Sequence, residues 1–461
     1  MSGSVIETMM KGLFSDDPFV LLEDGRYSRH QIVSAAFHLS RALPEAPVVM
    51  NLYTQRHEFL VLLLAVAFKD GIIVLPPNTA ENTLNGLMDA IDSRHKFIAG
   101  ARTERWNFED ETVARIDVKH LLSSGLVDKA QLSPLLRKLP VAQIWLYTSG
   151  STGQAKKVVK TWSQMMRLAA KAISRFGFDR TESPRCVVAT VPSQHMFGLE
   201  TTIFWPLFSR LKVWAGRPMF AEDIKAALDF VKPPVWLVSA PLHLKKLTQF
   251  DTEWPSYNES EDGLKVLSAT APLDVALAKT VGTKMHARVF EVFGSTETAS
   301  IASRETLVSD EWRLYDHNCL EEDKNSGTYD VIMQDLDERH RLQDTIRTVS
   351  ADRFRVLGRQ SDLIKVAGKR ASMTDLNRIL QAVPGIEDGV FWRSEASERL
   401  QAFVVSNLSS QEIRQALSKS MDVVFLPRPL HFVKRIPRNE MGKIPFQALL
   451  ELESQTREKV G

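Results

Sequence analysis

Cysteine is almost missing. Only Cys186 and Cys319 occur in 461 residues, and two thiols so far apart build neither a disulfide framework nor a thiolate metal site. That scarcity suits a reducing compartment, so a cytoplasmic setting is expected. Long apolar runs are missing too. The longest, Phe59 to Phe68, is ended by Lys69-Asp70-Gly71, well short of the roughly 20 residues that a spanning helix needs. It reads as a buried helix, and no membrane span is expected. Met1 to Phe14 has neither the basic start nor the unbroken apolar stretch of a signal peptide. Neither sign of charge is in excess: Lys and Arg number 58, Asp and Glu 56, a net of +2. A nucleic-acid binder would concentrate basic residues, so no nucleic-acid partner is expected. Internal repeats and low-complexity tracts do not occur. The chain is too long for one ordinary core, and two domains are expected.

One short stretch organises the rest: Thr148-Ser149-Gly150-Ser151-Thr152-Gly153-Gln154-Ala155-Lys156-Lys157. The apolar run Val141 to Tyr147 feeds it, and Val158 and Val159 lead away. From Thr148 to Gly153 every residue is small and most carry a hydroxyl, so backbone N–H groups stand uncovered. Hydroxyl donors and two lysines complete a set suited to a polyphosphate. The P-loop pattern does not apply, because no Gly-Lys-Ser/Thr follows at its spacing.

The rest of the chain alternates strand and helix. Residues 19–27 read as strand, Asp-Gly turn, strand, and 29–43 as helix. Strands at 48–52 and 72–75 flank the buried helix of 56–69. Trp162 to Phe176 carries Met165, Met166, Ala169 and Ile173 at helical spacing. Strands are then expected at 186–191, 212–214, 235–238, 264–267 and 288–293. Helices are expected at 199–208, 221–231, 242–250 and 273–285. Such short, Val-rich strands suit a parallel sheet covered by helices, whose ligands lie beyond the strands' carboxyl ends. The stretches after Val191, Val238, Leu267 and Phe293 should therefore face one site. A β-rich region is expected from about 310 to 357, then a boundary near 359–362. A small α+β segment follows, with helices at 374–382 and 410–418 and strands near 388–393 and 402–406.

Five further stretches punctuate this layout: Pro192-Ser193-Gln194-His195-Met196-Phe197-Gly198-Leu199; Ser268-Ala269-Thr270-Ala271-Pro272-Leu273; Phe293-Gly294-Ser295-Thr296-Glu297-Thr298; Gly358-Arg359-Gln360-Ser361-Asp362 running on to Lys365 and Gly368-Lys369-Arg370; and Pro437-Arg438-Asn439-Glu440-Met441-Gly442-Lys443. In this order, with the loop at 148–156, the chain resembles the adenylate-forming superfamily. That group holds acyl- and aryl-CoA ligases, peptide-synthetase adenylation domains and luciferases. The resemblance covers almost the whole chain and includes Asn51, Glu58, Gly71 and Pro76.

The resemblance implies an α/β fold. A large N-terminal domain of helix-covered, mostly parallel sheets with an added β-rich subdomain would span 1–358. A hinge would lie at 359–361, centred on Ser361, and a small mobile α+β domain would span 362–461. It implies two half-reactions. A carboxylate first attacks the α-phosphate of ATP, releasing pyrophosphate; a thiol of coenzyme A or phosphopantetheine then displaces AMP. It implies that Thr148, Ser149, Gly150, Ser151, Thr152, Gly153 and Lys156 hold phosphates. Thr152 and Glu297 would bind magnesium (Mg2+), a hard ion served by oxygen ligands. Phe293 would stack on the adenine with Thr270 and Ala271 along the base, Pro272, Gly294 and Thr296 would also bind ATP or AMP, and Asp344 and Arg359 would meet the ribose and phosphate. His195 would line the acyl pocket. Lys443 would touch both the α-phosphate and the substrate carboxylate, and Lys365 would serve the second half-reaction.

Four positions depart from the pattern: Ala155 stands for its usual Pro, Lys157 for Gly, Gln343 for the Gly before Asp344, and Asn439 for Thr. The partners implied are a carboxylic acid and, as thiol donor, coenzyme A or an acyl carrier protein. No carrier module is expected on the chain itself. Amino-acid-activating members place an acid shortly after the His195 stretch to bind the amine, and here the only nearby acid is Glu200. A stand-alone amino-acid adenylation enzyme and a non-catalytic nucleotide-binding homologue are the alternatives.

Overall fold

The computed structural model describes residues 3–93, 95–100, 118–149, 155–179, 185–255, 263–359, 363–366, 369–393, 400–439, 442 and 444–458. Among these the chain divides into two compact units. One lies within 1–150, 155–318 and 333–338, the other within 319–332 and 339–461.

The first unit holds two mixed sheets. The larger runs in the order Trp312–Leu314, Ala299–Glu305, Ala287–Ser295, Leu264–Ser268, Val235–Ser239, Cys186–Ala189, Lys212–Trp214, Pro18–Leu22, Gly25–Ser28. Its middle is parallel: Val235 faces both Cys186 and Leu264, and Leu264 faces Ala287. Its two edges turn antiparallel. The smaller sheet runs Lys96–Ala99, Val48–Asn51, Ile72–Leu75, Gln143–Ser149, Ala155–Thr161, and only its last pair is antiparallel. The expected strand and helix alternation is present, with boundaries displaced by a few residues.

Strands buried on both faces need helices on both sides. Val188, Leu237, Val266 and Val289 pack with Ile224, Leu228, Leu244 and Val281 from the helices Ala221–Val231, Pro241–Leu247 and Val275–Met285. Full burial of such a side chain is worth roughly 1.5–3 kcal/mol, so this layer supplies the sheet's main driving force. The helix Arg56–Phe68 is buried along its whole length, which accounts for its near-continuous apolar sequence. Trp162–Phe176 begins where Thr161 and Gln164 form a capping box and stops at Gly177 with φ 65°.

One expected element differs in kind. The helix at 199–208 is composite: α-helix Met196–Leu199, a π-helical turn Glu200–Phe204, then α-helix Trp205–Leu207. Periodicity cannot foresee that, because every residue from Met196 to Phe208 is buried.

In the second unit Leu376, Leu380, Phe391, Val404, Ile413 and Leu417 form one core. They come from the helices Met373–Gln381 and Ser410–Ser418 and the strands Ile386–Trp392 and Gln401–Ser406. The helix Phe446–Glu458 adds Leu449 and Leu452 against Val390 and Phe403.

Candidate active site

Because the middle strands of the larger sheet are parallel, their carboxyl ends share one edge. The stretches after Ala189, Ser239, Ser268 and Phe293 all leave from that edge. At this edge the backbone is under constraint. Thr270 holds φ 81°, a conformation that side chains with a Cβ rarely adopt and that concentrates at functional sites. Two glycines allow close backbone approach. A Cβ on Gly198 would lie 1.9 Å from the Pro192 carbonyl oxygen, and one on Gly294 would lie 1.9 Å from that of Ala299. No larger residue fits either place.

The strand at 287 runs on through Gly294 and Ser295 instead of ending at Phe293. It turns at Thr296-Glu297-Thr298 and returns antiparallel as Ala299–Glu305. Reciprocal bonds lock the turn: the Ser295 amide donates to Thr298 Oγ1 at 3.0 Å, and the Thr298 amide to Ser295 Oγ at 3.2 Å. Phe293 is half-buried beside Trp312, ring centroids 5.5 Å apart. Thr296 is half-exposed and Gly294 exposed. Ala271 and Pro272 are exposed. The next residue is fixed, its Leu273 amide donating to the buried Glu291 carboxylate at 3.1 Å.

The hairpin Gln143–Ser149 and Ala155–Thr161 sets Thr148 opposite Lys156 and Ser149 opposite Ala155. Lys157, one of the departures, lies over the Trp145 ring at 3.9 Å, a cation–π contact that steers it from its neighbour. Gly150, Ser151, Thr152 and Gly153 lie outside the described residues. Lys156 does not stand alone. Its Nζ donates to Glu297 Oε1 at 2.7 Å, across 141 residues of sequence. The two motifs therefore meet. Burial pushes the Glu297 carboxyl up, but the hydrogen bond from Lys156, the backbone N–H and Ser295 outweigh it and hold the group below its ordinary value. Among the described residues no group of three or more His, Cys, Asp or Glu could hold a metal ion. A carboxylate held below its ordinary pKa is the kind of donor that would fit magnesium, which takes one or two carboxylates and fills the rest of its shell with other oxygens and water.

His195 caps the helix Met196–Leu199 through its backbone and is half-buried. The end of the strand that precedes it is held by a residue that sequence reasoning missed. Arg56 is buried and donates to the Ala189 carbonyl at 2.7 Å, the Trp214 carbonyl at 3.3 Å and the Gly216 carbonyl. It ties two strand ends together, and burial lowers its pKa to about 9. Glu200 is also buried, its carboxyl pushed up to about 7 by that burial.

In the second unit Asp344 and Arg359 are facing partners across the hairpin Asp344–Ser350 and Arg353–Arg359. Fifteen residues of sequence separation thus become adjacency. Lys365 lies in the strand Leu363–Val366, opposite Arg370. Ser361 and Lys443 lie outside the described residues. The approach to Lys443 is held: Arg438 grips Asp388 through two bonds of 2.9 and 2.7 Å and donates to the Gly442 carbonyl at 2.8 Å. No helix is long and apolar enough to cross a membrane among the described residues.

A sequence profile described as AMP-binding enzyme matches residues 14–319, and the chain belongs to that family. It is 23% identical to a 4-coumarate–CoA ligase of Cereibacter sphaeroides over 92% of this chain and 91% of that one. It is 26% identical to a 4-coumarate–CoA ligase of Rhodobacter capsulatus, covering 67% of this chain and 76% of that one. A 3,4-dihydroxybenzoate–[aryl-carrier protein] ligase of Bacillus anthracis is 21% identical over 67% and 74%. The fold matches that of an O-succinylbenzoate coenzyme A synthetase from Bacillus subtilis in complex with AMP. The TM-score is 0.76 at 16% identity, covering 95% of this chain and 97% of that one. It also matches ATP-bound MatB from Rhodopseudomonas palustris, with TM-score 0.75 at 18% identity over 96% and 98%. The expected architecture, a large N-terminal α/β domain and a smaller C-terminal domain, is the architecture of these neighbours.

Proposed function

We propose that the chain is an ATP-dependent carboxylic acid ligase. A carboxylate oxygen attacks the α-phosphorus of ATP and the bond to the β-phosphate oxygen breaks, releasing pyrophosphate. The sulfur of coenzyme A or of carrier-protein phosphopantetheine then attacks the acyl carbon, and the bond to AMP breaks. The observation that carries this is the 2.7 Å contact of Lys156 with Glu297. It brings the lysine at the end of the hydroxyl-rich stretch beside the carboxylate at the sheet's carboxyl edge, which supports a shared magnesium–triphosphate site.

The roles follow from charge and reach. Thr148 to Gly153 offer N–H and hydroxyl donors to phosphates, and Lys156 adds charge. Magnesium on Glu297 and Thr152 would neutralise phosphate charge as it shifts to the leaving pyrophosphate. Phe293, with Thr270, Ala271, Pro272, Gly294 and Thr296, borders the purine. Asp344 and Arg359 serve the ribose and phosphate. Lys443 bridges the α-phosphate and the acid, and Lys365 serves thioester formation. A small domain, 362–461, turns on a hinge at 359–361 centred on Ser361 between the two steps. His195 lines the acid pocket.

Two observations favour an acid over an amino acid. Glu200, the only acid near the His195 stretch in sequence, is 3% exposed and bonded to the Ser300 amide and hydroxyl, a buried setting that does not suit it to meet a substrate amine. The curated relatives named above act on aromatic acids by name, so aryl acids head the candidates. Two cysteines, neither in a disulfide and one of them buried, accord with a cytoplasmic setting. The test is pyrophosphate exchange across aryl, fatty and amino acids, followed by mass spectrometry with each thiol donor. Exchange with aryl or fatty acids is expected. Exchange with amino acids alone favours the first alternative, and ATP binding without exchange favours a non-catalytic homologue.

A further inference from the structure

Glu200 carries no role in the chemistry above, yet it is 3% exposed. It opens the π-helical turn Glu200–Phe204, a local widening that recurs at functional sites. Its Oε1 accepts from the Ser300 hydroxyl at 2.8 Å and from the Ser300 amide at 3.1 Å, and its Oε2 also lies 3.1 Å from that amide. A carboxylate in such a place is expensive unless it is used, since an apolar residue would pack there without desolvation. Burial pushes the carboxyl up, while Ser300's two donors and the Lys160 ammonium pull the other way. The Tyr315 phenol is the other titratable group facing it.

Both ends of this contact are stiff. Ser300 follows Glu297 by three residues. Between them Thr298 donates to the Ala299 carbonyl at 2.8 Å, and Ala299 holds φ 55°. A shift of Ser300 therefore moves Glu297. On the other side Glu200 follows His195 by five residues. Thr201 and Thr202 donate to the Phe197 and Gly198 carbonyls at 2.7 and 2.6 Å, and Ser193 Oγ meets Thr202 Oγ1 at 3.0 Å. A shift of the His195 helix therefore moves Glu200.

We propose that Glu200 is a positioning residue: by gripping Ser300 through amide and hydroxyl, it holds the hairpin turn that presents Glu297 in register with the helix that follows His195. The acid side and the magnesium side of the site then share one mechanical link. The proposal rests on the adenylation reading for what Glu297 binds.

Three variants test it: Glu200→Leu, Glu200→Gln and Ser300→Ala. Two readouts are used, hydrogen–deuterium exchange of the 295–300 amides without ligand, and the magnesium concentration that half-saturates ATP binding. Glu200→Leu, which leaves both Ser300 donors unpaired, is expected to speed exchange of those amides roughly tenfold. It should raise half-saturating magnesium by roughly tenfold or more, the scale seen when a partner behind a metal ligand is lost. Glu200→Gln keeps an acceptor for the amide and should restore both readouts to near the parent. Ser300→Ala, a mild change, should fall between, and it carries the test should Glu200→Leu not fold. Lowered thermal stability with both readouts unchanged in Glu200→Leu and Ser300→Ala overturns the link. Failure of the parent to bind ATP at any magnesium concentration overturns the adenylation reading instead, and the ligand-free exchange still decides the link.

Discussion

Glu297 and Glu200 reach the same hairpin from opposite sides and in opposite company. Glu297 stands at the turn with its side chain 36% exposed, and its cationic partner Lys156 is 64% exposed. An ion pair so open to water is worth roughly 0–1 kcal/mol, so it is readily surrendered to a better ligand. Glu200 lies behind the turn, sealed, its oxygens committed to Ser300. Breaking that contact would strand buried donors at about 1–3 kcal/mol each. One carboxylate is placed to exchange partners and the other to keep them. The difference lies in solvent access, not in residue type.

The largest expected effect separates the two by rate. Glu297→Gln should cut pyrophosphate exchange by ~10²–10³, the scale of losing one charge-stabilising group. Glu200→Gln should cost less than about tenfold, because its amide still meets Ser300. Equal losses would erase the distinction.

The second effect is on stability, where the two have opposite signs. The Glu200 carboxyl is raised from 4.5 to about 7 in the folded chain. Its favourable contribution is present below its ordinary value and lost as pH rises through about 7. Glu200→Gln mimics the neutral form, so it should be more stable than the parent above that pH by up to about 3 kcal/mol. The two should match near pH 4.5, the ordinary value. Glu297 is lowered, so its contribution is present above its ordinary value and lost as pH falls through its folded pKa. Urea unfolding at both pH values measures this. A pH-independent gap between parent and Glu200→Gln would break the comparison.

Lys156→Ala should weaken ATP binding roughly tenfold, the worth of one charged hydrogen bond. It should also let the Glu297 carboxyl rise, a change visible by carbon-detected titration. A carboxyl that does not move would show that Lys156 does not set its ionisation. The smallest effect on the first half-reaction is expected from Lys365→Ala: exchange at the parent rate with slowed thioester formation, followed by stopped-time product analysis. Equal slowing of both steps would overturn that assignment.

Legibility was uneven for physical reasons. The Trp162–Phe176 helix could be read to the residue because its cap and its stop, Thr161 and Gly177, are local chemistry. The motif stretches could be read for the same reason: a Gly-Ser-Thr run exposes its backbone wherever it is placed. The stretch through Gly294 and Ser295 reads as loop, since small residues signal a turn. Pairing of Gly294 with Ser300 and Ser295 with Ala299 overrides that signal. The π-helical turn at Glu200–Phe204 had no periodic trace in a stretch buried all round. Arg56 opens the helix Arg56–Phe68, and its carbonyl partners lie more than 130 residues away in sequence.

By itself the amino-acid order determined the alternation of strand and helix, the family, and which residue types gather beyond the strand ends. Those depend on near neighbours, on spacing and on the exposure that small side chains allow. Only the tertiary structure decided partners: Lys156 with Glu297 across 141 residues, Glu200 with Ser300 across 100, Arg56 with the carbonyls of two strand ends. A charge's partner and its access to water are set by what the folded chain brings beside it. Two glutamates alike on paper thus stand in opposite settings, one half-exposed beside a lysine and one buried against a serine.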